Sequence, residues 1–259
     1  MPLDTIIDTN RHPIADAAFR RRCAGHLERD GVLALADFLR PASLAQLQAE
    51  AAAARQRAYF CTQDHNVYLT TPDPHLPPDH VVNRTVTSSK GCICDDDVAP
   101  GSPLRVLYDA PAFRDFVRAV TGQAAVHPYA DPLSSINVHY AERGQELGWH
   151  FDNSSFAITL LIQAPEAGGR FEYLKDVRDD AAGAPNHAGV ADLLDGRLTP
   201  DVLEMEAGTL VLFRGRHSIH RVTPNEGART RMLAVLAYNA EPGIALSERA
   251  RMTFYGRLA

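Results

Sequence analysis

Thiols, tryptophan and long apolar runs are all scarce in this chain. The 259 residues carry only four cysteines, Cys23, Cys61, Cys92 and Cys94. That is sparse for a secreted disulfide scaffold and suits a reducing cytosol. Cys92 and Cys94 are spaced more tightly than the usual zinc clip and no second pair follows, so a thiolate zinc site is not expected. No uncharged apolar run of about 18 residues exists, and the first thirty residues hold no apolar signal segment. Neither a membrane span nor export is therefore expected, and the location expected is cytoplasmic. Basic residues number 26 against 32 acidic, a net charge of −6. No Lys/Arg block stands out, which argues against nucleic acid as a partner. There is no internal repeat or low-complexity tract. The expectation is a small-molecule partner and a monomer or homodimer.

What is present divides the chain by texture. Residues 14–29, "IADAAFRRRCAGHLER", have helical spacing, with Phe19, Cys23 and Leu27 on one stripe. A turn at Asp30-Gly31 leads into a short apolar strand. Ser43 is expected to cap a second helix, "SLAQLQAEAAAARQRAY". The stretch "TPDPHLPPDH" at 71–80, with four prolines, excludes regular structure. It reads as a lid, and residues 60–100 are expected to lack a ladder of their own. "PAFRDFVRAVTG" reads as a helix from Pro111 to Gly122. From about residue 132, short apolar segments alternate with Gly/Pro turns, as in "SSINVHYAE", "FAITLLIQ", "GTLVLF", "IHRVTP" and "RMLAVLAYN". Such texture predicts an antiparallel sandwich or barrel. The expectation is one mainly β domain over 1–259, with N-terminal helices and a lid in 1–131, the β core in 132–240 and an extension in 241–259.

The stretch "GWHFDNSSFAITLLIQ" contains the only tryptophan. In a strand, His150 and Asp152 leave the same face, so both can reach one cation. Further on, "LFRGRHSIHRVTP" supplies another imidazole. His217 falls in what reads as a turn, whereas His220 opens a new apolar segment, so His220 is the expected third ligand. Two imidazoles and one carboxylate with open positions opposite form the donor set of non-heme Fe(II) oxygenases. Arg229, nine residues past His220, is placed to pair with the carboxylate of an acidic cosubstrate. Arg231 shares its strand face.

The set "HFD", "GTLVLF", "HRVTP" and "GAR" resembles the iron(II)/2-oxoglutarate-dependent oxygenases, whose core is a double-stranded β-helix (a jelly-roll, cupin-like fold). The motifs cover about residues 132–240. Within the superfamily the chain is most similar to the bacterial free amino acid halogenases and their hydroxylase relatives. The resemblance implies His150, Asp152 and His220 as the iron triad and Arg229 as the 2-oxoglutarate partner. It also implies Tyr140 in the cosubstrate pocket, as in prolyl-hydroxylase-like enzymes. Fe(II), 2-oxoglutarate and O2 are the implied cofactor and cosubstrates, with ascorbate as an accessory reductant. The implied reaction oxidises an aliphatic C–H while 2-oxoglutarate becomes succinate and CO2. The halogenases lack the carboxylate ligand; Asp152 is a departure that favours hydroxylation, with desaturation or cyclisation as the alternative. Trp149 and Phe151 are expected to pack on the opposite face.

For the substrate, Arg84 is the candidate carboxylate partner, and Asn153 and Ser155 are placed to face the pocket. Asp95–Asp97 either attract a basic substrate or form a solvated loop. Two other classes remain open: a cupin-type metal enzyme without 2-oxoglutarate, which has no use for Arg229, and a non-catalytic jelly-roll binding module.

Overall fold

The computed structural model describes residues 2–178 and 185–259. Helix α1 (Ala17–Asp30) begins where the Asp16 side chain accepts the Phe19 amide at 2.7 Å. It ends at Gly31, whose φ of 72° closes the last turn back onto Leu27. Its stripe is the expected one: Cys23 and Leu27 are buried and Phe19 packs beside them. Strand β1 (Val32–Leu35) follows. Helix α2 (Pro41–Ala54) starts two residues before the expected cap. Pro41 is already suited to a first helical position, and Ser43 lies inside the helix, its hydroxyl on the Thr5 carbonyl at 3.1 Å.

Strands β2 (Tyr59–Asn66) and β3 (Thr85–Ile93) pair over eight positions. This corrects the expectation that 60–100 has no ladder. The long irregular part is 67–84, and even that is tied down. The Asn66 amide donates to the Thr70 and Val82 carbonyls, and the Asn83 amide to those of Asp73 and Leu76. Helices α3 (Pro103–Asp109) and α4 (Pro111–Thr121) form next, the latter stopped by Gly122 as expected. Then come β4 (Ile136–Ala141), β5 (Leu147–His150), β6 (Ala157–Gln163), β7 (Phe171–Leu174), α5 (His187–Leu194), β8 (Asp201–Leu203), β9 (Leu210–Phe213), β10 (Ile219–Val222), β11 (Arg231–Leu236) and α6 (Glu248–Tyr255).

The strands join in the order β1-β9-β6-β11-β4-β3-β5-β10-β7-β8, with β2 on the outer side of β3. All pairings are antiparallel. β3 serves two arms: Gly91–Ile93 pair with β4, while Ser88 pairs with Leu147 of β5. The arms close on each other elsewhere, where the Phe213 ring of β9 meets Phe171 and Tyr173 of β7 edge-on. The outcome is the curled antiparallel jelly roll that the strand texture implied.

Period-two alternation decides what each arm turns inward. On the first arm Ile136, Val138 and Tyr140 of β4 and Met232, Ala234 and Leu236 of β11 join the helical layer in the main core. His139 and Arg231 take the opposite face. On the second arm Trp149, Phe151 and Ile219 pack outward against Val67, Tyr68, Val190 and Leu193. That burial turns His150, Asp152 and His220 inward, as the sequence pattern required. Among the described residues no helix is long and apolar enough to cross a membrane.

Candidate metal centre

His150 ends β5 and His220 lies on β10, directly opposite it in the antiparallel register. Their rings lie 4.2 Å apart. Asp152, just past β5, is held by its backbone: its amide donates to the Gly215 carbonyl at 3.0 Å, and the Phe151 amide to that of Val67 at 2.8 Å. Ligand atoms of His150, Asp152 and His220 lie within 4.8 Å of one another. The Asp152 Oδ1 stands 3.8 Å from His150 Nε2 and 3.7 Å from His220 Nε2. These gaps are too long for hydrogen bonds, but suit donors sharing one cation at bond lengths of about 2.0–2.2 Å.

Each imidazole is oriented in the same way. The Nδ1 of His150 donates to the Gly148 carbonyl at 2.8 Å, and that of His220 to the Ser218 carbonyl at 3.0 Å. A proton fixed on Nδ1 leaves the Nε2 lone pair facing Asp152, the tautomer a metal needs. Burial, then the neighbouring His220, hold the His150 imidazole well below its usual range, so it stays neutral and able to bind metal. Phe213 and Phe171 wall the His220 ring at 4.8 and 5.5 Å.

Two observations indicate that the three donors fit a cation. The Asp152 Oδ2 is buried with no hydrogen-bond partner among the described residues, a costly state for a carboxylate oxygen unless an ion satisfies it. A β-carbon built on Gly215 would lie 1.8 Å from that oxygen, so the bare glycine makes the space into which the carboxylate is set. His217 stays outside the cluster, its Nδ1 at 3.3 Å from the Arg178 carbonyl.

The two arginines differ in setting. Arg229 is exposed in the turn before β11, where its carbonyl accepts the Asn225 amide at 2.9 Å. Arg231, the first residue of β11, is buried. Burial alone pulls its guanidinium down to about 10, and among the described residues no carboxylate pairs with it. Gly169, at φ 59°, leaves it room: a β-carbon there would lie 3.2 Å from Arg231 Cδ. Tyr140 does not face this space. Its hydroxyl donates to the Ala51 carbonyl of α2 at 2.8 Å and the residue is fully buried in the main core. His139, its neighbour, takes the inward position, with Lys90 Nζ at 3.2 Å from its ring. Burial, Lys90 and Arg231, in that order, hold the His139 imidazole well below its usual range.

The other expectations are relocated. Arg84 is engaged by Asp195 at 2.7 Å. Asn153 and Ser155 are exposed, and the Asn153 carbonyl accepts from Arg216. Asp95, Asp96 and Asp97 pair with Arg105, Arg257 and Arg57 at 2.9, 2.5 and 2.7 Å; the run is neither a lure for a basic substrate nor a loop of free carboxylates. Cys92 and Cys94 are buried thiols pushed up to about 12, chiefly by burial. Lys90, His139 and Gly215 were missed. The alternation Ile136, Val138, Tyr140 against Asn137, His139 carries the signal for His139; nothing local marks Gly215.

A family model described as "HalD: Halogenase D" matches residues 15–250. The chain belongs to the HalD family. No curated protein matches it by sequence. Solved structures similar to this HalD-family chain include a 2OG-Fe(II) oxygenase family oxidoreductase from Burkholderia pseudomallei, 14% identical, with a TM-score of 0.55 over 87% of this chain and 92% of that one. A prolyl-4-hydroxylase from Pseudomonas putida is 15% identical, with a TM-score of 0.51 over 83% and 96%. EctD from S. alaskensis, in complex with 2-oxoglutarate and 5-hydroxyectoine, is 19% identical, with a TM-score of 0.53 over 88% and 80%. At these identities the likeness is one of fold. Family and fold together make this HalD member an enzyme of the iron(II)/2-oxoglutarate oxygenase superfamily.

Proposed function

We propose that this HalD-family oxygenase hydroxylates an unactivated C–H of a small polar metabolite, a free amino acid or a derivative, rather than halogenating it. The observation that carries the reading is the intact carboxylate: Asp152 stands beside both imidazoles with a buried oxygen that no group among the described residues satisfies. His150, Asp152 and His220 would hold Fe(II), and Arg231 would take the distal carboxylate of 2-oxoglutarate. Bound there, iron and 2-oxoglutarate supply the oxidising power, 2-oxoglutarate leaving as succinate and CO2. The chain's part is to hold three donors in register, keep both Nε2 lone pairs free and exclude water with the Phe171 and Phe213 rings. Arg231 provides a desolvated, two-pronged cation for a carboxylate. With both imidazoles and Asp152 on the metal and the cosubstrate chelating it, a halide and oxygen would have to compete for the one remaining position.

The molecule bound with 2-oxoglutarate in the EctD structure, 5-hydroxyectoine, is small and polar, in line with this reading. The test is product mass. With a turned-over substrate, 2-oxoglutarate, oxygen and excess chloride, the wild-type protein should add one oxygen atom. A loss of two hydrogens would assign desaturation instead. A chlorinated product would overturn Asp152 as an iron ligand.

A further inference from the structure

A cavity of about 230 Å³ opens beside Asp152. Its apolar wall includes Phe156, Val235, Ala237 and Leu246, and among the described residues Asp152 is the only carboxylate that lines it. Most of the polar groups around it are already engaged. The Asn137 amide donates to the Leu133 and Ile136 carbonyls and accepts from the Tyr255 hydroxyl at 3.0 Å. Ser134 donates to Asp131 and Ser154 to the Phe156 carbonyl.

Lys90 is different. Its ammonium has three N–H donors, yet the only acceptor within reach among the described residues is the His139 ring, at 3.2–3.3 Å. A neutral imidazole offers a single lone pair, so donors are left over on a side chain that lines the cavity, with the Phe254 ring at 5.3 Å. No carboxylate pairs with Lys90 among the described residues, although it is close enough to Asp152 to feel that charge. The Tyr129 hydroxyl, also on the cavity wall, has no hydrogen-bond partner among the described residues. A half-buried cation with unused donors beside an apolar wall favours an anionic partner.

We propose that Lys90 and Tyr129 form the anchor for a carboxylate on the substrate, and that the rest of the substrate is uncharged and largely apolar. This rests on the oxygenase reading and narrows its substrate class. Among the described residues the cavity presents one cation and, once Asp152 is on the metal, no free carboxylate. It therefore accepts a net anion, such as an N-acylated or amino-free acid, and has nothing to balance a basic side chain. The apolar wall then lays the substrate body beside the metal ligands.

The test is a titration under argon of the protein loaded with Fe(II) and 2-oxoglutarate. The probes are a panel of carboxylic acids and their primary amides with matched carbon skeletons, N-acetylated amino acids included. Binding is read by calorimetry. In the same samples the visible charge-transfer band of the iron–2-oxoglutarate chelate reports cosubstrate affinity. At least one acid should bind more tightly than its amide. Lys90→Met should weaken that acid by about 10- to 100-fold, the loss of a charged hydrogen bond, while Lys90→Arg keeps most of the affinity. The dissociation constant for 2-oxoglutarate should stay within about twofold, and thermal melts should show both variants folded. A panel in which no acid outbinds its amide overturns the proposal. So does a Lys90→Met protein that loses 2-oxoglutarate instead of the acid, since Lys90 would then serve the cosubstrate. Wild-type protein that binds no 2-oxoglutarate sinks the oxygenase reading and this inference with it.

Discussion

Gly215 and Asp152 share one volume: a β-carbon on the first would stand 1.8 Å from an oxygen of the second. Gly215→Ala must therefore push the carboxylate off its position or shift the backbone that holds it. Overpacking of this kind costs about 1–3 kcal/mol. Metal affinity should fall by about tenfold or more in a Co(II) titration, with the melting temperature much less affected. Unchanged affinity would mean that Asp152 reaches the metal by another path.

Removal of one ligand should be more severe. His150→Ala, Asp152→Ala and His220→Ala are each expected to abolish turnover and most metal binding, because each takes one of three protein donors. His217→Ala should keep most activity, since that ring faces the Arg178 carbonyl instead. An active His220→Ala alongside a dead His217→Ala would reverse the assignment.

The two arginines give an equally sharp contrast. Arg231→Met should weaken 2-oxoglutarate by about 2–4 kcal/mol, as expected when a charged partner is lost from a shielded pocket. Arg229→Ala should change it little, because that side chain is exposed. Titration of the charge-transfer band measures both. Equal losses in the two variants would contradict the geometry.

Acid should loosen the metal-free protein through His139. Its folded-state pKa is held below 6.5 by burial, Lys90 and Arg231, whereas in the unfolded chain it titrates near 6.5. Below about pH 6.5 the unfolded chain takes a proton that the folded chain refuses. Stability therefore falls as pH drops from there toward the folded value, by up to about 1.4 kcal/mol per pH unit for this group. Urea midpoints of the chelated protein at about pH 7 and about pH 5.5 should show the decline, and His139→Gln should make it shallower. An equal slope in the variant would remove His139 from the account. His150, depressed by burial as well, contributes in the same direction.

Much of the architecture was legible in the sequence because it rests on local chemistry. The turn at Gly31 ends α1, Gly122 stops α4, and the alternation around Trp149 turns His150 and Asp152 to one face. What escaped depends on partners distant in sequence. Ser43 resembles a cap, but Pro41 starts the helix earlier. β2 reads as loop because it sits beside a Pro-rich stretch, and only pairing with β3 makes it a strand. Arg229 and Arg231 differ by where β11 begins, a boundary that no local signal marks. The setting of Tyr140 was written in its own strand: it continues the apolar series of Ile136 and Val138, which packs into the main core. Gly215 matters only because Asp152, 63 residues earlier, lies against it.

The pairing of His150 with His220 also has a consequence for how the chain folds. The two histidines come from segments about 70 residues apart and meet only if β5 and β10 dock in one register. A slip of one residue would turn His220 outward and present Ile219 or Arg221 in its place. No local fragment can therefore hold the ion well, and closing so long a loop is slow. Metal affinity should emerge late in refolding, with the final slow phase rather than with early helix signals. The ion would thus act as a proofreader of topology, adding its binding energy only to chains that have closed correctly.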